Sequence, residues 1–294
     1  MSGPPPCPAR AQSSAPGPCE WHSLGRFFDR SGKLGEVTVE QCRHCGHGRS
    51  MPPLADVSFL YDQRESQDFQ PHSGGLARQI KRLAFRREAR RLIRQLDRSP
   101  GSVLDFGCGS GQFTRELGTL LGQDRVVGSD FFAEPPAELA GRPYLALDEL
   151  DRHRDEFDTV LAMHVLEHDD DVAALLDRIV GPARTGGKIV IEVPNIACFG
   201  SRLFGRHWDG WYLPYHRSHF SRRSLVAALE QAGLEVLAVH GAVVPTMGRT
   251  FANLLGRQNT LPMLLAGIVV HPLQLLGESL TGEPSALRAI ARKR

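Results

Sequence analysis

Short apolar runs alternate with helical patterns through the middle of the chain. "SVLDF" (102–106), "RVVGSD" (125–130), "PYLAL" (143–147), "FDTVLAM" (157–163) and "GKIVIEV" (187–193) are runs of the length and character buried in a parallel sheet. Between them lie amphipathic stretches. "DDVAALLDRIV" places Val172, Leu175, Leu176 and Ile179 on one helical face. "SRRSLVAALEQAGLEVLAV" (221–239) predicts a further helix and strand, with Ser221 as N-cap and Gly233 as the stop. Strands alternating with helices predict a doubly wound α/β sheet over residues 73–294. Two segments stand apart. Between Arg78 and Arg98 basic residues crowd a helix whose apolar side would be Leu76, Ile80, Leu83, Leu92, Ile93 and Leu96, a pattern that reads first as a solvated helix covering the sheet. "LPMLLAGIVVHPLQLL" (261–276), within a helical insertion at about 245–283, is too short to span a bilayer and contains Pro272. It predicts a substrate lid or dimer face in preference to a membrane-interfacial helix.

Composition adds little over the main body and more at the N-terminus. A formal net charge of +2 over 294 residues points to neither nucleic acid nor membrane. Residues 1–18 are rich in Pro, Ser and Gly with no apolar signal-like region, which predicts a disordered arm and a cytoplasmic setting. In that setting six cysteines are expected as thiols or metal ligands. Residues 19–72 carry "CEWH" (19–22) and "CRHC" (42–45). Two such pairs have the spacing of knuckles that grip Zn²⁺ from two sides, with Gly46 letting the backbone turn back beneath the metal. Cys19, His22, Cys42 and Cys45 are the expected ligands of a structural Zn²⁺. His44, His47 and Cys7 are alternatives, and His22 is the least secure of the four.

The chemistry centres on "VLDFGCGSGQF" (103–113). A glycine-rich turn after the first strand of such a sheet lets a cofactor approach the backbone, and the acid closing the second strand, Asp130, suits ribose hydroxyls. The glycines fall G-x-G-x-G, and Gln112 takes the place of the third glycine of a dinucleotide fingerprint. Asp105, just before the turn, would repel phosphate but suits a cation. S-adenosylmethionine (SAM) carries a sulfonium and an ammonium and no phosphate.

These motifs, with "FDTVLAMHVLEHDDDVAALLDRIVGPARTGGKIVIEVPN" and "HRSHFSRRSLVAALEQAGLEV", resemble the class I SAM-dependent methyltransferases over roughly residues 76–244, most closely the branch with "EH" after strand four and "EVPN" closing strand five. The resemblance implies a Rossmann-like seven-stranded sheet whose last strand, "SALRAIARKR", runs antiparallel. It implies that Asp105, Gly107, Cys108, Gly109 and Gly111 surround the methionine part and that Asp130 binds the ribose. Phe131 would lie against adenine, Asp148 would meet the adenine amino group, and Met163 with His164 would line the floor. It also implies an N-terminal zinc-ribbon-like module, as in some sugar and natural-product methyltransferases.

An oxygen or carbon acceptor must lose a proton near neutral pH, for which histidine is suited. His216 and His164 are the candidate bases, with His168 and His219 structural, and Glu167 and Asp169 to Asp171 read as a helix N-terminus. The expected function is methyl transfer from SAM to a small-molecule or glycan-precursor acceptor, at oxygen. Peripheral membrane contact and a homodimer are further candidate associations, and nucleic acid is not expected. Two alternatives remain open: an RNA or protein methyltransferase that holds a polymer with the zinc module, and a non-catalytic binding module built on the same fold.

Overall fold

A computed structural model describes Cys7 and residues 19–29, 32–61, 75–256 and 260–294. The expected arm, apart from Cys7, and the segment after Tyr61 lie outside the described residues. Strands β1 (Trp21–Phe28), β2 (Glu36–Cys42) and β3 (Gly48–Met51) form an antiparallel meander. Helix α1 (Gly75–Gln95) then leads into β4 (Val103–Phe106), α2 (Gln112–Leu121), β5 (Val126–Asp130), β6 (Tyr144–Ala146), β7 (Phe157–Met163), α3 (Val172–Val180) and β8 (Ala183–Pro194). The chain continues through α4 (Phe199–Phe204), β9 (Ser218–His219), α5 (Arg222–Gln231), β10 (Leu234–Ala242), α6 (Met247–Leu254), α7 (Leu261–Thr281) and β11 (Ala286–Lys293).

The large sheet has the order β10-β11-β8-β7-β4-β5-β6. Neighbours from β8 to β6 are parallel, while β11 is antiparallel to both β8 and β10. This is the predicted Rossmann-like sheet with its last strand reversed. Side chains alternate between two cores, as the pleat requires. Val103, Val126, Leu161, Val190 and Ile290 meet Ala89 and Leu92 of α1, Leu96 just after it and Leu117 of α2. Leu104, Phe106, Val160, Ile189 and Ile191 meet Leu176 and Ile179 of α3 and Leu225 and Leu229 of α5. Leu83, expected on the apolar side of α1, is exposed. It lies nine residues from Leu92, half a turn away at 3.6 residues per turn. Ser221 caps α5 reciprocally with Ser224, and Gly233 follows with φ +78°, as expected.

The N-terminal meander does not stand alone. Its sheet is completed by β9, giving the order β1-β2-β3-β9 with Gly48 opposite His219 and Arg49 opposite Ser218. Three short strands cannot bury a sufficient core by themselves. Arg217, fully buried, donates to the Ser50 and Pro52 carbonyls and to Asp170, and Ser50 Oγ donates to the His216 carbonyl at 2.9 Å. The meander is therefore fixed to the turns that follow β7 and β8. No described helix is long and apolar enough to cross a membrane.

Candidate active site

The turn after β4 is held open by its glycines. Gly107, Gly109 and Gly111 have φ values of +73°, +53° and +72°, a region that side chains other than glycine enter at a cost. A Cβ on Gly107 would collide with Val165, and one on Gly111 with Leu139. One on Gly109 would meet nothing within 4 Å and would project into free space. That space belongs to a cavity of about 870 Å³, lined on this side by Phe106, Gly107, Gly109, Asp130, Phe131 and Leu147. Such a volume suits a cofactor together with a small acceptor.

Two acids support the turn. Asp130 accepts from the amides of Gly109 (2.7 Å) and Phe131 (2.8 Å), which aims its carboxylate along the cavity wall. Asp105 lies beneath, buried, accepting from Thr114 Oγ1 at 2.6 Å. Burial raises the Asp105 carboxyl to about 7; the Thr114 hydrogen bond opposes that shift and the charge of Asp130 adds to it. An acid so placed favours a cation above the turn. Asp105, Cys108, Gly111, Asp148 and Met163, all expected at the cofactor, are not among the residues that line the cavity. Cys108 points at Gly128 of β5, and burial pushes its thiol up, which makes it a packing residue. Asp148 is exposed beside Leu147, and Met163 packs into the core beneath β7.

The cavity lining also brings together His164, His168 and His216 with Tyr61, Lys81, Trp208, Tyr212 and Arg249. His164, at φ +58° after β7, lies between two carboxylates: Nδ1 is 3.1 Å from Glu167 and Nε2 is 3.1 Å from Glu192. Carboxylates only accept, so both ring nitrogens carry protons. Burial works against that charge, but the hydrogen bonds and charges of Glu167 and Glu192 outweigh it and raise His164 to about 10. His164 is an imidazolium at neutral pH, which is the wrong state for the base the sequence analysis made it. Glu167 is its buried counter-ion rather than part of a helix N-terminus; Asp171 alone caps α3, through Ala174 N.

His216 is the converse case. Its Nδ1 lies 2.9 Å from the Gly210 carbonyl, which fixes that nitrogen as the donor and leaves Nε2 with a lone pair. Burial, followed by the charges of His168 and His219, holds it well below the ordinary histidine value. His219 lies 2.9 Å from Ser50 Oγ, outside the cavity lining, in a structural position. His168 does line the cavity, within 2.8 Å of the Tyr61 hydroxyl. Tyr61, which ends the N-terminal segment, also packs against Phe131 and Tyr215, so that segment forms part of the cavity wall.

Behind Glu192 runs a buried ionic chain that sequence reading missed. Arg288 of β11 donates to Glu192 (2.8 Å from Nε), to Glu88 of α1 and to Gln95. Its signal was present in the sequence: one acid interrupts the apolar run of β8 and one arginine that of β11. Isolated charges of opposite sign inside two buried runs are expected to be partners.

At the N-terminal module, the sulfurs of Cys7, Cys42 and Cys45 lie within 4.8 Å of one another, with Cys7 and Cys45 3.2 Å apart. Cys19 packs against this group, and His22 is not among its members. Gly46, at φ +74°, returns its amide to the Cys42 carbonyl, and the His47 amide points at Cys45 Sγ. Tetrahedral Zn–S bonds of about 2.3 Å imply sulfurs about 3.8 Å apart, so the thiols fit a zinc ion.

The sequence of residues 76–239 matches a family model described as a methyltransferase domain. The chain belongs to that family. It is a SAM-dependent methyltransferase, with the glycine turn, paired acids and cavity such an enzyme needs. It is 31% identical over 183 residues to a ubiquinone biosynthesis O-methyltransferase of Rhodopseudomonas palustris, covering 52% of this chain and 71% of the relative. A protein of the same description from Nitrobacter winogradskyi is 33% identical over 186 residues, covering 52% and 69%. Among solved structures, a SAM-dependent methyltransferase from Archaeoglobus fulgidus aligns with 81% of this chain and all of its own, at 20% identity and a TM-score of 0.49.

Proposed function

We propose that this methyltransferase methylates a hydroxyl oxygen of a small, quinone-like aromatic acceptor, with His216 taking the proton. The observation that carries this reading is His216: a neutral imidazole with its lone pair on Nε2, in a cavity shared with the glycine turn. Tyr61, Trp208 and Tyr212 offer flat apolar faces to an aromatic ring. The relatives named above act in ubiquinone biosynthesis at oxygen, which supports the same acceptor class. Gly107 and Gly109 would admit the cofactor, Asp105 would face its ammonium, Asp130 its ribose and Phe131 its adenine. When bound, SAM supplies a methyl group activated by its sulfonium. His216 Nε2 would take the proton of the acceptor hydroxyl, with Glu167, which it shares with His164, 3.9 Å from that nitrogen. The imidazolium of His164 adds a fixed positive charge that favours an oxyanion in the cavity. A soluble catechol incubated with methyl-labelled SAM should acquire the label on oxygen. Label on nitrogen or carbon, or only in added RNA or protein, overturns the assignment.

We assign a structural Zn²⁺ to Cys7, Cys42 and Cys45, with Cys19, which packs against them, as the fourth ligand; four sulfurs would leave no position for substrate. The neighbouring contacts define its task. Ser221, the cap of α5, donates to the Cys45 carbonyl at 2.9 Å, and Ala227 of α5 packs on the cysteines. The ion would thus fasten the N-terminal module, and with it Tyr61, to the catalytic body. Elemental analysis is expected to find one zinc per chain, lost in Cys7→Ser and kept in His22→Ala. Retention in the first variant or loss in the second returns the fourth position to His22.

A further inference from the structure

Helix α7 is built inside out. Among its described side chains, the buried positions are Gly267, Gln274, Gly277 and Glu278. Gly267 lies against the backbone of Gly248 in α6, and Gly277 against the ring of Phe199 in α4. Gln274 donates to the Val244 carbonyl (2.9 Å) and to Glu278 (2.6 Å). On the opposite side Leu265, Ile268, Val269, Leu273, Leu276 and Leu280 form a stripe at helical spacing; Val269 is 79% and Leu280 78% exposed. From Leu265 to Leu280 the stripe runs about 22 Å. The two helices packed on α7 add exposed Leu203, Leu254 and Leu255. An apolar face this long and continuous on a soluble surface marks an interaction site.

The charges around it select the occupant. Among the described residues of α4, α6, α7 and the turn at 205–211, the exposed charged side chains are Arg202, Arg206 and Arg249. The two acids there are Asp209, paired with Arg249, and Glu278, buried against Gln274. A second copy would bring both sets of arginines to one two-fold seam with no exposed acid on these elements to answer them. An anionic bilayer answers both features, taking the apolar stripe below its headgroups and the arginines among its phosphates. The helices beneath this surface reach the active site through the inner side of α7. Arg249 of α6, Val244 (which accepts from Gln274) and Thr246 line the cavity.

We propose that the outer face of α7, with Arg202, Arg206 and Arg249, seats this enzyme on an anionic membrane surface, with the cavity mouth beside the bilayer. Only the delivery of acceptor through that mouth rests on the function proposed above. The full-length protein should float with vesicles containing phosphatidylglycerol and bind pure phosphatidylcholine vesicles more weakly. Ile268→Asp/Leu273→Asp, altering exposed positions only, should weaken that binding by roughly tenfold or more. SAM binding, followed by calorimetry, should be unchanged. Wild-type protein that ignores phosphatidylglycerol vesicles, or a variant that binds them as well, overturns the proposal. So does a wild-type dimer in sedimentation that the same substitutions dissociate, which would make the stripe a contact between copies. Methylation of a soluble catechol without vesicles is scored in parallel. Its absence condemns the acceptor assignment alone, and its persistence in the variant leaves that assignment intact whatever the vesicles show.

Discussion

His216→Asn is expected to lower kcat by about 10²- to 10⁴-fold, the usual contribution of a positioned general base. Asparagine is chosen because its amide can still donate to the Gly210 carbonyl, so the loop is kept while the proton acceptor is lost. SAM affinity should stay within about twofold, since His216 is bound to the Gly210 carbonyl and is no part of the glycine turn or of the hydrogen bonds that hold Asp130. The pH profile is a second readout. A base held well below the ordinary histidine value is already deprotonated at neutral pH. The wild-type kcat/KM should therefore be flat from neutral pH down through the ordinary histidine range of about 6.5, and fall only in more acidic solution. His164→Gln should leave that acid limb in place, because His164 is protonated throughout this window and loses its proton only near 10. A limb centred at or above the ordinary histidine value, or a small kcat effect in His216→Asn, would transfer the role elsewhere.

The large sheet was legible because each strand carries its own pattern. Five short apolar runs with amphipathic helices between them admit few arrangements, and Asp130 falls at the end of the second, where the fold needs it. The four-stranded sheet was not legible, because β3 finds its last partner in β9, a two-residue strand far along the chain with no pattern of its own. The same distance hid the roles of the histidines. "HVLEH" and "HRSH" show four imidazoles but not their surroundings. Glu192, on a neighbouring strand, makes His164 a cation, and the carbonyl of Gly210 makes His216 a neutral acceptor. Histidine chemistry is set by the second partner of the ring, and that partner is a product of tertiary structure. Cys7 was read into a disordered arm and named only as an alternative ligand; its sulfur instead lies with those of Cys42 and Cys45. The outward face of α7 hid for a different reason. Its apolar residues suggested a substrate lid or a dimer face, whereas its two small and two polar buried residues are what fit the gap beside α4 and α6.

Arg288→Leu is expected to destabilise the fold by about 3–5 kcal/mol, the cost of leaving a buried charge without its partner. Arg288 is 1% exposed, and it is the cation that Glu192 meets from the β11 side. Without it, Glu192 keeps only His164, which is already shared with Glu167. Glu88 suffers less, because it is about one-third exposed and can be rehydrated. Urea denaturation should move the midpoint accordingly with little change in slope, since the surface exposed on unfolding is nearly the same. Removing both charges distinguishes an ionic role from simple packing. Arg288→Leu/Glu192→Leu leaves no orphaned charge between β8 and β11 and should lose less than the two single variants combined. If the losses simply add, Arg288 contributes by filling space. If Arg288→Leu costs under about 1 kcal/mol, water reaches Glu192, and the buried chain from α1 to the cavity does not hold His164 in its charged state.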